Sequence, residues 1–207
     1  GRYLQAGFSG AITIGDGPGG GSGRIKLDTG SVASAVSVHR TASSPDGFQA
    51  FMFKGTSASN ALSVLGGSDV GVASVGGETA NLTGGLTLGP GARVRCGSGV
   101  TLAAVINNSG SLEINSAVGT SLIQVGGATT ILGSGAVAQL TMSAGAYVTY
   151  QTSGTLGGNT TVDGGSFLNF SLDQQVKTVT NAITVRGGGV IDDSLKVVTG
   201  GSGLRVT

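Results

Sequence analysis

Glycine interrupts this chain so often that helical periodicity never develops. It fills 41 of 207 positions, roughly a fifth where ~7% is usual. No ten-residue segment carries apolar residues at i, i+3, i+4 and i+7 without a glycine inside it, and an amphipathic helix needs that spacing. The pieces between glycines are short and alternate instead. Val100-Thr101-Leu102-Ala103-Ala104-Val105, Leu112-Glu113-Ile114, Leu122-Ile123-Gln124-Val125, Thr130-Ile131-Leu132, Leu140-Thr141-Met142, Tyr147-Val148-Thr149-Tyr150, Thr161-Val162-Asp163 and Phe167-Leu168-Asn169-Phe170 mostly alternate apolar with Ser/Thr positions, the period of a half-buried strand. Strand centres recur about every 8 to 10 residues, which predicts an all-β chain.

An antiparallel sandwich and a parallel solenoid both allow that spacing. Three features favour a parallel β-helix (β-solenoid). The turns are single glycines or Gly-Gly pairs rather than the Asn-Gly and Asp-Gly pairs of hairpins. A period of about 18–19 residues runs through Leu102, Leu122, Leu140 and Leu156, with Gly126-Gly127, Gly157-Gly158 and Gly164-Gly165 as coil corners and Asn107-Asn108-Ser109-Gly110 as a turn. Between Gly97 and Leu172 only Glu113 and Asp163 carry charge. Stacking puts the same position every ~4.8 Å along the axis, so like charges would repel. Ser, Thr and Asn are expected to bond rung to rung as outward ladders, over inward columns of Leu, Ile and Val.

Before residue 97 the pattern is looser. Strands are expected at Ala11–Ile14, Arg24–Leu27, Ala35–Val38, Phe51–Lys54, Leu62–Val64, Val70–Val72 and Leu86–Leu88, with a long loop over 39–49. Three parts follow: 1–96, β-rich, with that loop and an attachment or oligomer contact; 97–172, a regular, charge-poor solenoid; and 173–207, C-terminal coils and a charged cap. A solenoid must protect its open edges.

The chemical motifs weaken on inspection. Gly15-Asp16-Gly17-Pro18-Gly19-Gly20 fits G-x-G-x-x-G, but a turn and another strand follow where a dinucleotide site needs a helix. Gly20-Gly21-Ser22-Gly23-Arg24-Ile25 puts isoleucine where a calcium-binding nonapeptide has aspartate. Asp192-Asp193 is the best metal candidate, with a solvated turn as the plainer reading. Glycan cleavage needs converging carboxylates, and Glu113 and Asp163 are some 50 residues apart. Glu78, Arg95 and Glu113 are 17 and 18 residues apart and are expected to stack as one alternating-sign column. His39, the single histidine, opens the long loop and supports no triad. Cys96, the single cysteine, rules out an internal disulfide; its thiol is either activated by Arg93 and Arg95 or simply buried. Tyr147, Tyr150 and Phe48 are candidate sugar platforms, with core packing as the plainer reading. Phe51-Met52-Phe53 reads as core or as a subunit contact. Asn81, Asn107, Asn159 and Asn169 begin chance Asn-x-Ser/Thr triplets. No catalytic, cofactor-binding or metal-ligating residue is assigned.

Net charge is +1, which gives no electrostatic claim on nucleic acid or acidic lipid, and no run of about 18 apolar residues occurs. Gly23-Arg24-Ile25-Lys26-Leu27, Phe53-Lys54-Gly55-Thr56-Ser57-Ala58-Ser59-Asn60-Ala61-Leu62-Ser63-Val64, Val70-Gly71-Val72 and Gly77-Glu78-Thr79-Ala80 resemble a family of glycine-rich parallel β-helix proteins from the structural gene clusters of tailed phages. The likeness covers residues 2–105; the remainder is a general Gly/Thr/Val repeat. It implies a non-enzymatic virion protein of the head-decoration or head-fibre type, with no cofactor. Its expected partners are copies of itself, as in a trimer, and capsid proteins. A host glycan contact is left open, and nothing in the sequence supports it. The alternatives are a bacterial surface adhesin, or autotransporter-like passenger, and a glycan-degrading spike.

Overall fold

A computed structural model describes residues 2–4, 12–15, 25–28, 31–32, 35–39, 49–53, 56–58, 60–73, 77–115, 118–133 and 135–207. Every regular element among them is a strand, and every strand pairing is parallel. The chain is a β-solenoid with up to three short strands per coil. Arg93–Cys96 lies on the first face, Val100–Leu102 on the second and Ile106–Asn108 on the third; Ser111–Ile114 then returns to the first, one rung along. Ten strands form the first face, and a seventeen-stranded sheet supplies the other two. In Val118–Val125 and Val137–Ser143 one strand bends across both of those faces.

The alternation seen in the sequence selects the inward side. Leu86–Leu88, Val100–Leu102 and Thr160–Val162 each bury their first and third residues and leave the middle one more exposed. Parallel register then lines the inward residues into columns. Leu62, Leu86, Ile106, Leu122 and Leu140 form one on the third face. Leu82, Leu102, Val118, Val137, Leu156 and Val179 form another on the second. All eleven side chains are buried, and each contributes roughly 1.5–3 kcal/mol. The four leucines of the sequence period thus belong to two columns: Leu122 and Leu140 to one, Leu102 and Leu156 to the other. Their near-equal spacing arose because one coil visits both faces.

On the first face the steps Arg93↔Ser111, Ser111↔Ala128, Ala128↔Tyr147 and Tyr147↔Phe167 are 18, 17, 19 and 20 residues. The expected period holds there. It lengthens to 24 residues at Asp69↔Arg93 and 23 at Phe167↔Val190, because longer corners carry the chain between faces.

Glycine sets the corner between the third face and the first. Gly126-Gly127, Gly164-Gly165 and Gly187-Gly188 all have positive φ there, and Ala144 (φ 58°) precedes Gly145 at the same corner. The left-handed conformation costs an L-residue roughly 1–2 kcal/mol, which is why glycine recurs there. Gly157-Gly158 lies between the second and third faces, close over Ala138 of the previous rung. Asn107 and Asn108 end a strand rather than form a turn. His39 likewise ends the strand Val36–His39. The strand expected at Phe51–Lys54 starts earlier, inside the expected loop, and runs Gln49–Phe53, paired with Ile25–Asp28 and Asp69–Val72. Residues 16–24, which hold most of both glycine motifs, and 40–48, with Phe48, lie outside the described residues, as do Lys54, Gly55 and Ser59.

Candidate functional site

The residues singled out for chemistry are dispersed by the coil. Arg95 and Glu113 are neighbours on adjacent rungs of the first face. Glu78 precedes Ala80–Leu82 on the second face, so the expected three-residue column does not exist. Arg95 instead reaches diagonally to Asp69, the register partner of Arg93 on the preceding rung, whose two carboxylate oxygens accept hydrogen bonds from Arg95 Nη2, both at 3.1 Å. Sequence spacing missed this pair because the coil between them is 24 residues long. Cys96 alternates inward from Arg95 and is 2% exposed. Burial, with the Glu113 charge adding to it, pushes its thiol up to about 12. It is a core residue and not an activated nucleophile.

Asp163 stands at the corner after the third face. Its carboxylate accepts from Gly164 N–H at 2.7 Å and from Arg186 Nε on the next rung at 2.7 Å. Glu113 and Asp163 therefore occupy different faces and do not converge. Asp192 accepts from Ser194 N–H, which with the Ser194 hydroxyl holds its carboxyl below the usual range. Asp193 Oδ1 accepts from Val197 and Val198 N–H at 2.8 and 3.3 Å. These two carboxylates order a turn, the plainer of the two readings. Among the described residues no group of three His, Cys, Asp or Glu side chains could hold a metal ion.

The interior holds polar groups that strand alternation marked as inward without showing how they are satisfied. Asn108 and Gln124 occupy the column of Leu88 and Met142 and are 1% and 0% exposed. Asn108 Nδ2 donates to Gln124 Oε1 at 3.0 Å and to Thr129 Oγ1 at 2.9 Å, while Asn108 Oδ1 accepts from Gly110 N–H at 2.8 Å. Thr129 Oγ1 donates to Gln124 Oε1, and Gln124 Nε2 donates to Gly126 O at 2.7 Å. Buried amides are tolerated when fully bonded, and here they pin two glycine corners.

Outward, the third face carries Thr87, Asn107, Ile123, Thr141, Thr161 and Thr184 in successive register. Among the described residues the hydroxyls of Thr87, Thr141, Thr161 and Thr184 make no protein hydrogen bond. The expected ladder is therefore a row of unbonded groups at the ~4.8 Å rung spacing. Inter-rung side-chain bonds concentrate elsewhere: Ser121 to Gln139, Ser109 to Leu88 O, Thr152 to Gly133 O.

Tyr147 is 40% exposed and stacks on Phe167 of the next rung, centroids 5.3 Å apart and planes 4° from parallel. One face of each ring is thus covered by the other, and Asn169 Nδ2 donates to Tyr147 Oη. Tyr150 is fully buried, edge-on to Phe170, and burial raises its phenol above the ordinary value. Packing claims Tyr150 outright and Tyr147 in part. Asn169 is also buried, unlike Asn81, Asn107 and Asn159. The chain matches no protein-family model, no curated protein and no solved structure.

Proposed function

We propose that the chain is a non-enzymatic structural protein of a virion surface, a head-decoration or head-fibre component of a tailed phage that binds the shell and associates with its own copies. The observation that carries the non-enzymatic part is the fate of the acids. Asp69, Asp163, Asp192 and Asp193 each bind a neighbouring side chain or backbone N–H, and Glu113 stands apart from Asp163. Such acids hold rungs and corners together. A stack of registered rungs offers a stiff support, and its neutral outer rows suit repeated display. The phage assignment rests on the resemblance over residues 2–105. Self-association is supported by the exposed apolar side chains Tyr147, Val190, Leu172, Val176 and Leu195.

Quantitative mass spectrometry of purified virions tests this reading, with the chain expected at a fixed stoichiometry to the major capsid protein. Absence from virions overturns it. Recovery in a bacterial outer-surface fraction instead would select the adhesin.

A further inference from the structure

Lys177 is the one charged residue that is fully buried among those whose side chains the structure describes. It opens the strand Lys177–Val179 at an inward position, in register with Val198. The loop before it, 170–176, lies within one of the longer coils, and its Asp173 and Gln175 receive the ammonium. Nζ donates to Asp173 Oδ1 and to Gln175 O. The same Asp173 oxygen accepts from Gln175 N–H at 3.1 Å. A primary amine is thus held against a single carboxyl group, with a backbone donor already on that carboxyl and water excluded from the amine.

We propose that Lys177 and Asp173 join, within the folded chain, in an amide bond from Lys177 Nζ to Asp173 Cγ. The ammonium first gives a proton to the carboxylate, leaving a neutral amine beside a neutral acid. The nitrogen lone pair then attacks Cγ, and Gln175 N–H stabilises the oxyanion formed at Oδ1. A second proton passes from nitrogen to the Asp173 hydroxyl, which leaves as water while the carbonyl reforms. One positive and one negative charge disappear, one water is released, and no other reagent is consumed. Burial holds the Lys177 ammonium below its ordinary value, against the opposing field of Asp193, which favours the first step. The Lys177 ammonium is buried while the Asp173 carboxylate is a quarter exposed, so a neutral amide also removes the desolvation cost on the lysine side. The product ties the loop covalently to its own strand, closing this coil against unwinding.

Intact-mass measurement of the purified full chain is the test, followed by trypsin digestion after denaturation. The expected mass is short by one water, with no cleavage after Lys177 and a single peptide from Cys96 to Arg186 carrying the deficit. Asp173→Asn is expected to lose ammonia in place of water, and Lys177→Arg to keep its full mass. An unmodified wild-type mass overturns the proposal, as does cleavage after Lys177 even where a water has been lost elsewhere. The wild-type result decides the matter if either variant fails to fold.

Discussion

At the scale of single residues, inward or outward position matters more than residue type. Asn107 and Asn108 are adjacent and chemically identical, yet one is exposed and the other buried within a bonded cluster. Asn108→Ala removes the partner of the buried Gly110 N–H and leaves Gln124 and Thr129 short of a donor. The expected loss is about 2–4 kcal/mol, against about 0.5 kcal/mol or less for Asn107→Ala, read from paired chemical denaturation curves. Cys96 supplies a pH prediction. Its thiol is raised from 9.0 to about 12 in the folded chain, so the unfolded chain loses its proton first as pH rises. The contribution is complete below pH 9 and declines between 9 and about 12. Cys96→Val should flatten the fall in stability across that window; an unchanged slope would show that the thiol is not protected. Strand alternation made the inward side of these residues legible. The bonding inside was not, because Asn108 and Gln124 lie a full coil apart and Thr129 one corner further on.

At the scale of elements, the corner is where sequence and structure agree most closely. The glycine pairs at 126–127 and 164–165 were readable as corners because an L-residue resists positive φ. How much room each has depends on the neighbouring rung. A Cβ on Gly127 would run into the backbone oxygen of Gly110, whereas one on Gly145 meets nothing within 4 Å. Both have positive φ, 59° and 71°. Gly145→Ala should cost about 1 kcal/mol from conformation alone. Gly127→Ala should cost on the order of 3 kcal/mol or more, because overpacking is added. Thermal melts of the two variants rank them, and equal melting temperatures would contradict the corner geometry. The Asp69–Arg95 pair lay beyond sequence reading for a related reason. Corner length varies from coil to coil, so a fixed period misplaces any contact that spans a long coil.

At the scale of the whole molecule, stability is a sum over neighbouring rungs. The inward columns run without change of pairing from Leu62 to Leu140 on the third face and from Leu82 to Val179 on the second. All-β class, parallel stacking and the charge-poor exterior were legible because each follows from a repeated local rule. The division of coils among three faces was not, because a period counts residues and carries no direction. The solenoid depends on strands that are parallel and registered one coil apart, and a disulfide reports that directly. Thr141 and Thr161 are register partners on the outer side of the third face. In a Cys96→Val background, Thr141→Cys with Thr161→Cys should oxidise rapidly and quantitatively to an intramolecular disulfide, since bridging needs Cα atoms about 4.4–6.8 Å apart. Thr141→Cys with Thr149→Cys, which sit on different faces, should not. Failure of the first pair together with ready closure of the second would mean an antiparallel hairpin and would contradict the solenoid.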